Sequence, residues 1–138
     1  MPKMNPKDYS KKLSITKLLS VYLVQSSLEF DRTVEPGAVE VRITDKSDFK
    51  NLKDRHTEVH HQYNIQASVK KKVLFAITMT FCIELLSEES FDKEFFAIFS
   101  KASLPSITFP YMREFVGNMT SRMNIPPITI PLITRRAK

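Results

Sequence analysis

The chain has 138 residues, a formal net charge of +6 and two glycines, Gly37 and Gly117. A chain of this length is expected to form a single domain, 1–138, that buries about two thirds of its unfolded surface. Two isolated glycines exclude the glycine-rich phosphate loops of common nucleotide-binding proteins. No apolar run reaches the roughly 18 residues that span a bilayer, so no membrane insertion is expected.

Two features predict a cytoplasmic protein. The segment from Met1 to Lys12 is basic and polar and lacks the apolar core of a signal peptide, so we expect a flexible leader over 1–12. Cys82 is the single cysteine and lies in an apolar run that is typical of a strand. Because it cannot form an internal disulfide, we expect a buried free thiol in a reducing compartment.

Alternating apolar residues predict four strands, and the short connections between them favour an antiparallel sheet. The predicted strands are 17–30, 38–44, 57–69 and 73–86. The first has apolar side chains on both sides and is therefore expected to be covered, at least partly, on both faces. Turn residues follow it at 33–37, the polar stretch 45–55 predicts a surface loop, and Lys70–Lys72 are expected to form a hairpin turn.

After Ser87 the apolar residues take the spacing of helices. Ser90 is a candidate N-cap for a short helix that ends at Leu104–Pro105. The main helix is expected to begin at Pro110, because proline suits a first helical position, and to end near Met123. Four strands followed by a short and a long helix predict an α+β fold.

The segment 109–133 carries the most specific pattern of the chain. It contains Phe-Pro-Tyr-Met-Arg-Glu at 109–114, Ser-Arg at 121–122, and a stiff apolar stretch with three prolines at 126–133. This pattern resembles the signature of the SecB family of bacterial export chaperones, in which Phe-Pro-Tyr-x-Arg-Glu opens the long helix and Ser-Arg closes it. The order of predicted elements is also similar to that family, so the resemblance extends over about 18–133.

The resemblance implies a holding chaperone that binds non-native polypeptides in hydrophobic grooves and uses no ATP, nucleotide or other cofactor. It implies a homotetramer, a dimer of dimers assembled through the long helix. SecB-like proteins deliver their clients to the SecA motor, or protect an antitoxin in toxin–antitoxin systems. The sequence leaves both kinds of partner open.

The chain departs from the family at the acidic face on which SecA docks. Glu29 matches one carboxylate of that face, but Gln25 stands at its first-strand neighbour, and the hairpin position is Ile77 or Thr78. The chain also ends at Lys138, before the second, C-terminal helix of the family, and 134–138 is expected to be a flexible tail. The resemblance therefore does not extend to a complete SecA-docking face.

Two sets of apolar residues are candidate sites. The expected client groove consists of Phe91, Phe95, Phe96, Phe99, Phe109 and Tyr111. The expected oligomer interface on the long helix consists of Met112, Phe115, Val116, Met119 and Met123. Aromatic rings and methionines adapt to varied partners, although for any single residue the alternative is an ordinary core position.

Other functional classes have weaker signals. His56, His60 and His61 invite a metal site, but His60 and His61 point to opposite faces of a strand, and no acid or cysteine cluster is evident beside them. No serine or cysteine lies in a nucleophile motif, so we expect no enzyme activity. Nucleic-acid binding is a minor alternative. An antiparallel sheet with exposed aromatic residues can stack bases, but Tyr63 is the only aromatic residue of its strand and is expected on the core side. The competing class is a structural subunit with one fixed protein partner.

Overall fold

The computed structural model describes residues 4–35 and 37–125. Their elements, in chain order, are α1 (Pro6–Ser14), β1 (Thr16–Phe30), β2 (Glu40–Asn51), β3 (His56–Val69), β4 (Lys72–Ser87), α2 (Lys93–Ala102) and α3 (Leu104–Arg122). One antiparallel sheet followed by a short and a long helix confirms the predicted α+β class. The tails predicted at 126–133 and 134–138 lie outside the described residues. None of the described helices is long and apolar enough to cross a membrane.

The sheet has the order β1-β4-β3-β2, so β1 and β2 form its two edges. The chain crosses between the edges after β1, and two hairpins then bring β4 into the gap between β3 and β1. Along β3 every second residue, from Thr57 to Val69, is buried beneath the helices. The residues between them lie on the opposite side. We call these two sides of the sheet the helix-covered face and the open face.

β2 is longer than the sequence predicts. It pairs with β3 continuously from Glu40 to Asn51. The surface loop predicted for 45–55 is therefore wrong as far as Asn51. Asp45 and Ser47 occupy positions on the helix-covered face, and their polar side chains hide the alternation by which a half-buried strand is usually recognised.

The predicted hairpin turn between β3 and β4 is confirmed. Lys70 and Lys71 form it, with φ angles of 48° and 67°. Two successive positive φ angles are what a type I′ turn requires, and asparagine and glycine adopt them more easily than lysine does.

A helix, α1, lies in the segment for which we expected a flexible leader. Asn5 caps it, with its side-chain oxygen accepting a hydrogen bond from the backbone N–H of Asp8 at 2.8 Å. Tyr9 is buried, its ring lies 5.2 Å from that of Phe95, and its hydroxyl is hydrogen-bonded to Ser103. These contacts tie α1 to α2 and correct the expectation for this part of the segment.

The cap of α2 is Asp92 and not the predicted Ser90. The Asp92 carboxylate accepts a hydrogen bond from the backbone N–H of Phe95 at 2.6 Å. Aspartate also suits this position because its charge is favourable at the positive end of the helix dipole.

The long helix α3 begins at Leu104 and not at the predicted Pro110. Leu104 and Pro105, expected to end the short helix, instead form the first turn of the long one, and Ser103 alone separates the two helices. Pro105 occupies the early position that proline favours. Pro110 lies inside the helix, where it has no N–H to give to the carbonyl four residues before it.

The core lies between the helix-covered face and the three helices. Its largest fully buried apolar side chains are Ile65, Phe75, Ile77, Met79, Ile83, Leu85, Phe95, Phe99, Leu104 and Met112. The central strands β3 and β4 and the helices α2 and α3 contribute to it, whereas none of these residues comes from β1 or β2. The two edge strands are consequently the part of the sheet that a single copy of the chain covers least.

Candidate binding surface

β1 is the main exposed apolar feature of the described residues. Of their eleven exposed large hydrophobic side chains, six lie on this strand. The six are Leu18, Leu19, Tyr22, Leu23, Val24 and Leu28. The stretch 18–28 also contains no charged residue and no proline, and β4 is the only described strand with which β1 pairs. An edge strand of this kind is a template for pairing with another chain.

Two bulges decide which way the side chains of β1 point. The register with β4 shifts at Leu19 and again at Val24. In a regular strand, residues five positions apart point to opposite faces. A bulge adds one residue, so two residues five positions apart with a bulge between them point to the same face. Leu18, Leu23 and Leu28 therefore all lie on the helix-covered face, opposite Leu85, Phe81 and Ile77 respectively.

The bulges correct the expectation that the first strand is covered on both faces. Apolar residues occur on both sides of the sequence pattern because the pattern changes phase twice. In the structure, the open face of β1 carries Lys17, Ser20, Gln25, Ser27 and Glu29, and Tyr22 is the one large apolar side chain at a paired position there. The strand has one apolar face, and that face remains largely uncovered.

The helices leave this apolar face open because they lie elsewhere on the sheet. α2 packs near β2, where the rings of Phe96 and Phe49 are 4.6 Å apart. α3 lies over β3 and β4, and the ring of Tyr111 is 6.1 Å from that of Phe81. Tyr111 itself is 47% exposed. We define the β1 surface as Leu18, Leu23, Leu28 and Tyr111.

The residues expected to form the client groove divide into two groups. Phe91, Phe95 and Phe99 are at most 3% exposed and stack into one aromatic cluster in the core. Phe95 and Phe99 lie four residues apart on the buried side of α2, and Phe91 precedes the helix. Phe96 and Phe109 are half-buried and Tyr111 is exposed, so only these three offer ring surface to another molecule.

The residues expected at the oligomer interface divide in the same way. Met112 and Val116 are fully buried within the chain, and Met123 is 9% exposed. Phe115 and Met119 are half-buried. The outer side of α3 that a second copy could contact therefore contains Phe115 and Met119.

The positions that the resemblance assigns to the docking face also lie on different sides of the sheet. Glu29 is exposed on the open face, whereas Ile77 is buried on the helix-covered face.

A buried polar network links α3 to the sheet, and the sequence analysis missed it. His61 Nε2 lies 2.7 Å from Asp45 Oδ2, and His61 Nδ1 lies 2.8 Å from Thr108 Oγ1. The Tyr63 hydroxyl is 2.9 Å from the same threonine oxygen. Carboxylate, imidazole and hydroxyl stand in the order of a hydrolase triad, but His61 and Thr108 are completely buried, so no substrate reaches them. The network serves as a structural link.

On the open face, strand pairing brings three potential metal ligands together. Donor atoms of Glu58, His60 and Cys82 lie within 4.8 Å of one another. His60 and His61 point to opposite faces, as predicted. The expectation that no acid or cysteine stands near the histidines is wrong, because Cys82 is distant in sequence and lies opposite His60 only in the sheet.

Cys82 is the buried free thiol that the sequence predicts. Burial raises the pKa of this thiol above its ordinary value. Tyr22 lies on β1, directly opposite Cys82 of β4. The pKa of Tyr22 is also raised, because its hydroxyl interacts with Cys82 and donates a hydrogen bond to Glu84.

Comparison with known proteins places this fold in a family. A family model described as "Preprotein translocase subunit SecB" matches residues 8–135. The "Protein-export protein SecB" of Anaplasma marginale (strain Florida) is 31% identical over 80 residues, which are 55% of this chain and 43% of that protein. Its namesake in Anaplasma phagocytophilum (strain HZ) is 30% identical over 78 residues, 55% of this chain and 49% of that protein. The chain thus spans about half the length of these curated relatives.

Solved structures share the same architecture. A SecB-like chaperone of Mycobacterium tuberculosis, in complex with a ChAD peptide from the HigA1 antitoxin, has a TM-score of 0.77 at 13% identity, over 90% of this chain and 95% of that chain. A Streptococcus agalactiae protein of unknown function has a TM-score of 0.50 at 8% identity, over 85% and 97%. At these identities the likeness concerns the fold. Because the family model covers most of the sequence, the chain belongs to the SecB family.

Proposed function

We propose that this protein is a holding chaperone that binds non-native polypeptides without ATP, in the cytoplasm. The observation that carries the proposal is the β1 surface, an uncovered apolar strip beside an open strand edge in a member of the SecB family. Such a strip binds apolar segments regardless of their exact sequence, which suits a chaperone with varied clients.

In this mechanism each client segment gains affinity from buried area. An extended apolar segment would lie along the β1 surface, between the leucines of β1 and Tyr111, with Phe96 and Phe109 as neighbouring ring surface. Burial contributes roughly 25 cal/mol per Å², so a single short segment binds weakly. A client that contacts several copies at once gains from effective concentrations in about the millimolar range.

The proposal includes a homotetramer arranged as a dimer of dimers. Two features support further copies: the outer edge of β1, which no other strand of residues 4–35 and 37–125 pairs with, and the half-buried Phe115 and Met119 on α3. Edge pairing would extend the sheet of one copy into that of the next. The client site is then the side-chain face of β1, and the copy-to-copy contact is its backbone edge.

The identity of the client is the open part of the proposal. The M. tuberculosis relative in complex with an antitoxin peptide favours a dedicated partner, whereas the export proteins among the relatives favour general clients. Glu29 is the one candidate carboxylate for SecA docking on β1 and is exposed. Gln25 and Thr78, at the other two positions that the resemblance assigns to the docking face, carry no charge, which supports the dedicated partner more than delivery to SecA.

Suppression of aggregation tests the proposal. Several unrelated unfolded proteins are diluted into solutions of the full chain, and light scattering is followed. We expect wild type to suppress aggregation of more than one of them. We expect Leu23→Ser to weaken client affinity by about tenfold, because a buried leucine contributes about 1.5 kcal/mol or more.

The matched control is Leu52→Ser, since Leu52 is 43% exposed against 41% for Leu23 and lies between β2 and β3. This control should suppress aggregation as wild type does, and the native mass of both variants should equal that of wild type. Equal loss in the two variants would contradict a client site on β1. Activity on one cognate partner only would favour the dedicated-partner version of the proposal, and no suppression of aggregation at all would favour the structural subunit.

A further inference from the structure

We propose that the open face of the sheet carries a zinc site built from Glu58, His60 and Cys82. The three side chains come from adjacent strands: His60 lies directly opposite Cys82, and Glu58 lies two residues from His60 on the same face. Their donor atoms lie within 4.8 Å of one another. The proposal is independent of the chaperone function and concerns the opposite face of the sheet.

The geometry already approaches that of a tetrahedral ion. His60 Nε2 is 3.4 Å from Glu58 Oε1. Zinc bonds of about 2.0–2.2 Å to nitrogen and oxygen, at tetrahedral angles, separate those two ligand atoms by about 3.4 Å. The separations among the three donor atoms are at most 4.8 Å, so a Zn–S bond of about 2.3 Å requires the sulfur to approach by no more than roughly 1 Å, a distance within the range of a change in side-chain torsion.

The surrounding residues support the ligands. The second ring nitrogen of His60, Nδ1, lies 3.7 Å from Asp48 Oδ1, slightly beyond hydrogen-bond distance. A small side-chain rotation would bring the two into the carboxylate–histidine hydrogen bond that commonly orients a zinc-bound imidazole. On the other side, the Tyr22 hydroxyl donates to Glu84 Oε1 at 3.0 Å. Tyr22 lies directly opposite Cys82 on the open face.

The charge and the chemistry of the donors favour zinc. Asp48, Glu58 and Glu84 concentrate three carboxylates in a chain whose net charge is +6. One imidazole, one thiolate and one carboxylate form a borderline-soft donor set, which suits Zn²⁺ better than Mg²⁺ or Ca²⁺. Three protein ligands leave the fourth position to water. A bound ion would cross-link β3 to β4.

The test is metal binding by the tag-free full chain after treatment with a chelator and a thiol reductant. Calorimetric titration with ZnCl₂ is expected to show one equivalent bound per chain, and zinc should raise the melting temperature. Titration with CoCl₂ should give a thiolate-to-cobalt charge-transfer band together with the visible absorption of tetrahedral cobalt. That band reports Cys82 directly, since the chain has no other cysteine.

Variants separate this site from incidental binding. Cys82→Ser and His60→Gln should each abolish the charge-transfer band and weaken zinc binding at least 100-fold, and Asp48→Asn should weaken it by about 10- to 100-fold. His56→Asn is the matched control, because His56 lies on the same strand and face but opposite Leu86, and it should bind as wild type. If Cys82→Ser does not fold, His60→Gln and the cobalt spectrum of wild type decide. Zinc binding that survives either ligand substitution, or wild type without a charge-transfer band, overturns the proposal.

Discussion

At the scale of single residues, the most consequential feature is the enclosed network of Asp45, His61, Tyr63 and Thr108. Polar groups in an apolar core stabilise a fold only when they are hydrogen-bonded, and an unpaired group costs more than the bond itself contributes. Both ring nitrogens of His61 have partners, on β2 and on α3 respectively. The network therefore fixes where α3 lies on the sheet, which apolar packing alone specifies less sharply.

Substitution of Thr108 tests this role. Thr108→Val keeps the shape but removes the hydroxyl from between His61 and Tyr63, so a buried imidazole nitrogen loses its partner. We expect the free energy of unfolding to fall by about 1–3 kcal/mol, measured by urea denaturation.

The control is Thr78→Val, since Thr78 donates a hydrogen bond of 2.9 Å to Asn64 on the open face, where water can replace it. Its loss should be no more than a few tenths of a kcal/mol, as for substitutions on exposed surfaces. An equal decrease in the free energy of unfolding in the two variants would show that the buried network contributes no more to stability than an exposed hydrogen bond.

At the scale of elements, the turn between β3 and β4 stores strain. Lys71 has a φ of 67°, a conformation that costs a residue with a Cβ about 1 kcal/mol or more. We expect Lys71→Gly to raise the free energy of unfolding by about 1 kcal/mol, measured as a shift of the urea midpoint.

Lys72→Gly is the control, because Lys72 begins β4 and has no positive φ. Glycine in a strand gains no strain relief and loses conformational entropy on folding, so this variant should be less stable than wild type. A gain from both substitutions would instead indicate an effect of removing a positive charge from the lysine run.

The elements also show what sequence patterns could and could not predict. β3 and β4 were predictable almost to the residue, because their alternation is regular and their turn is short. The end of β2 was not, since Asp45 has a polar side chain on the inner face and finds its partner, His61, only in the folded sheet. Two prolines can each start a helix, and local sequence does not show that Pro105 and not Pro110 does so.

The same limit applies to the candidate site. The signature at 109–114 led to the family, which the family model confirms. The expected groove residues were right in type but were divided by the fold, with Phe95 and Phe99 used for the core. The leucines of β1 were visible in the sequence, but two bulges concealed that they share one face. Bulges have no reliable residue signature, so this surface could be recognised only from coordinates.

At the scale of the whole molecule, the apolar edge strand β1 pairs with β4 alone among the residues that the structure describes. We expect the purified protein to be oligomeric, and Val24→Lys to reduce its native mass. Val24 lies at the second bulge of β1 and is 48% exposed, and lysine on an edge strand opposes pairing with another chain. Light scattering coupled to gel filtration measures the mass.

Val41→Lys provides the comparison, because Val41 lies on the other edge strand, β2, and is 36% exposed. Its mass should remain that of wild type. A monomeric wild type, or a loss of assembly through Val41 and not Val24, would contradict pairing through β1.

The bulges at Leu19 and Val24 have an evolutionary consequence. Each bulge reverses the face to which the following side chains point. Loss of either residue would therefore turn part of the β1 surface towards the open face of the sheet, while the amino-acid composition would be almost unchanged. A point substitution changes one side chain of this surface, whereas a single-codon deletion moves several of them to the other face at once. In this fold, the capacity to hold another chain depends on the number of residues between the apolar positions of the strand as much as on which amino acids it contains.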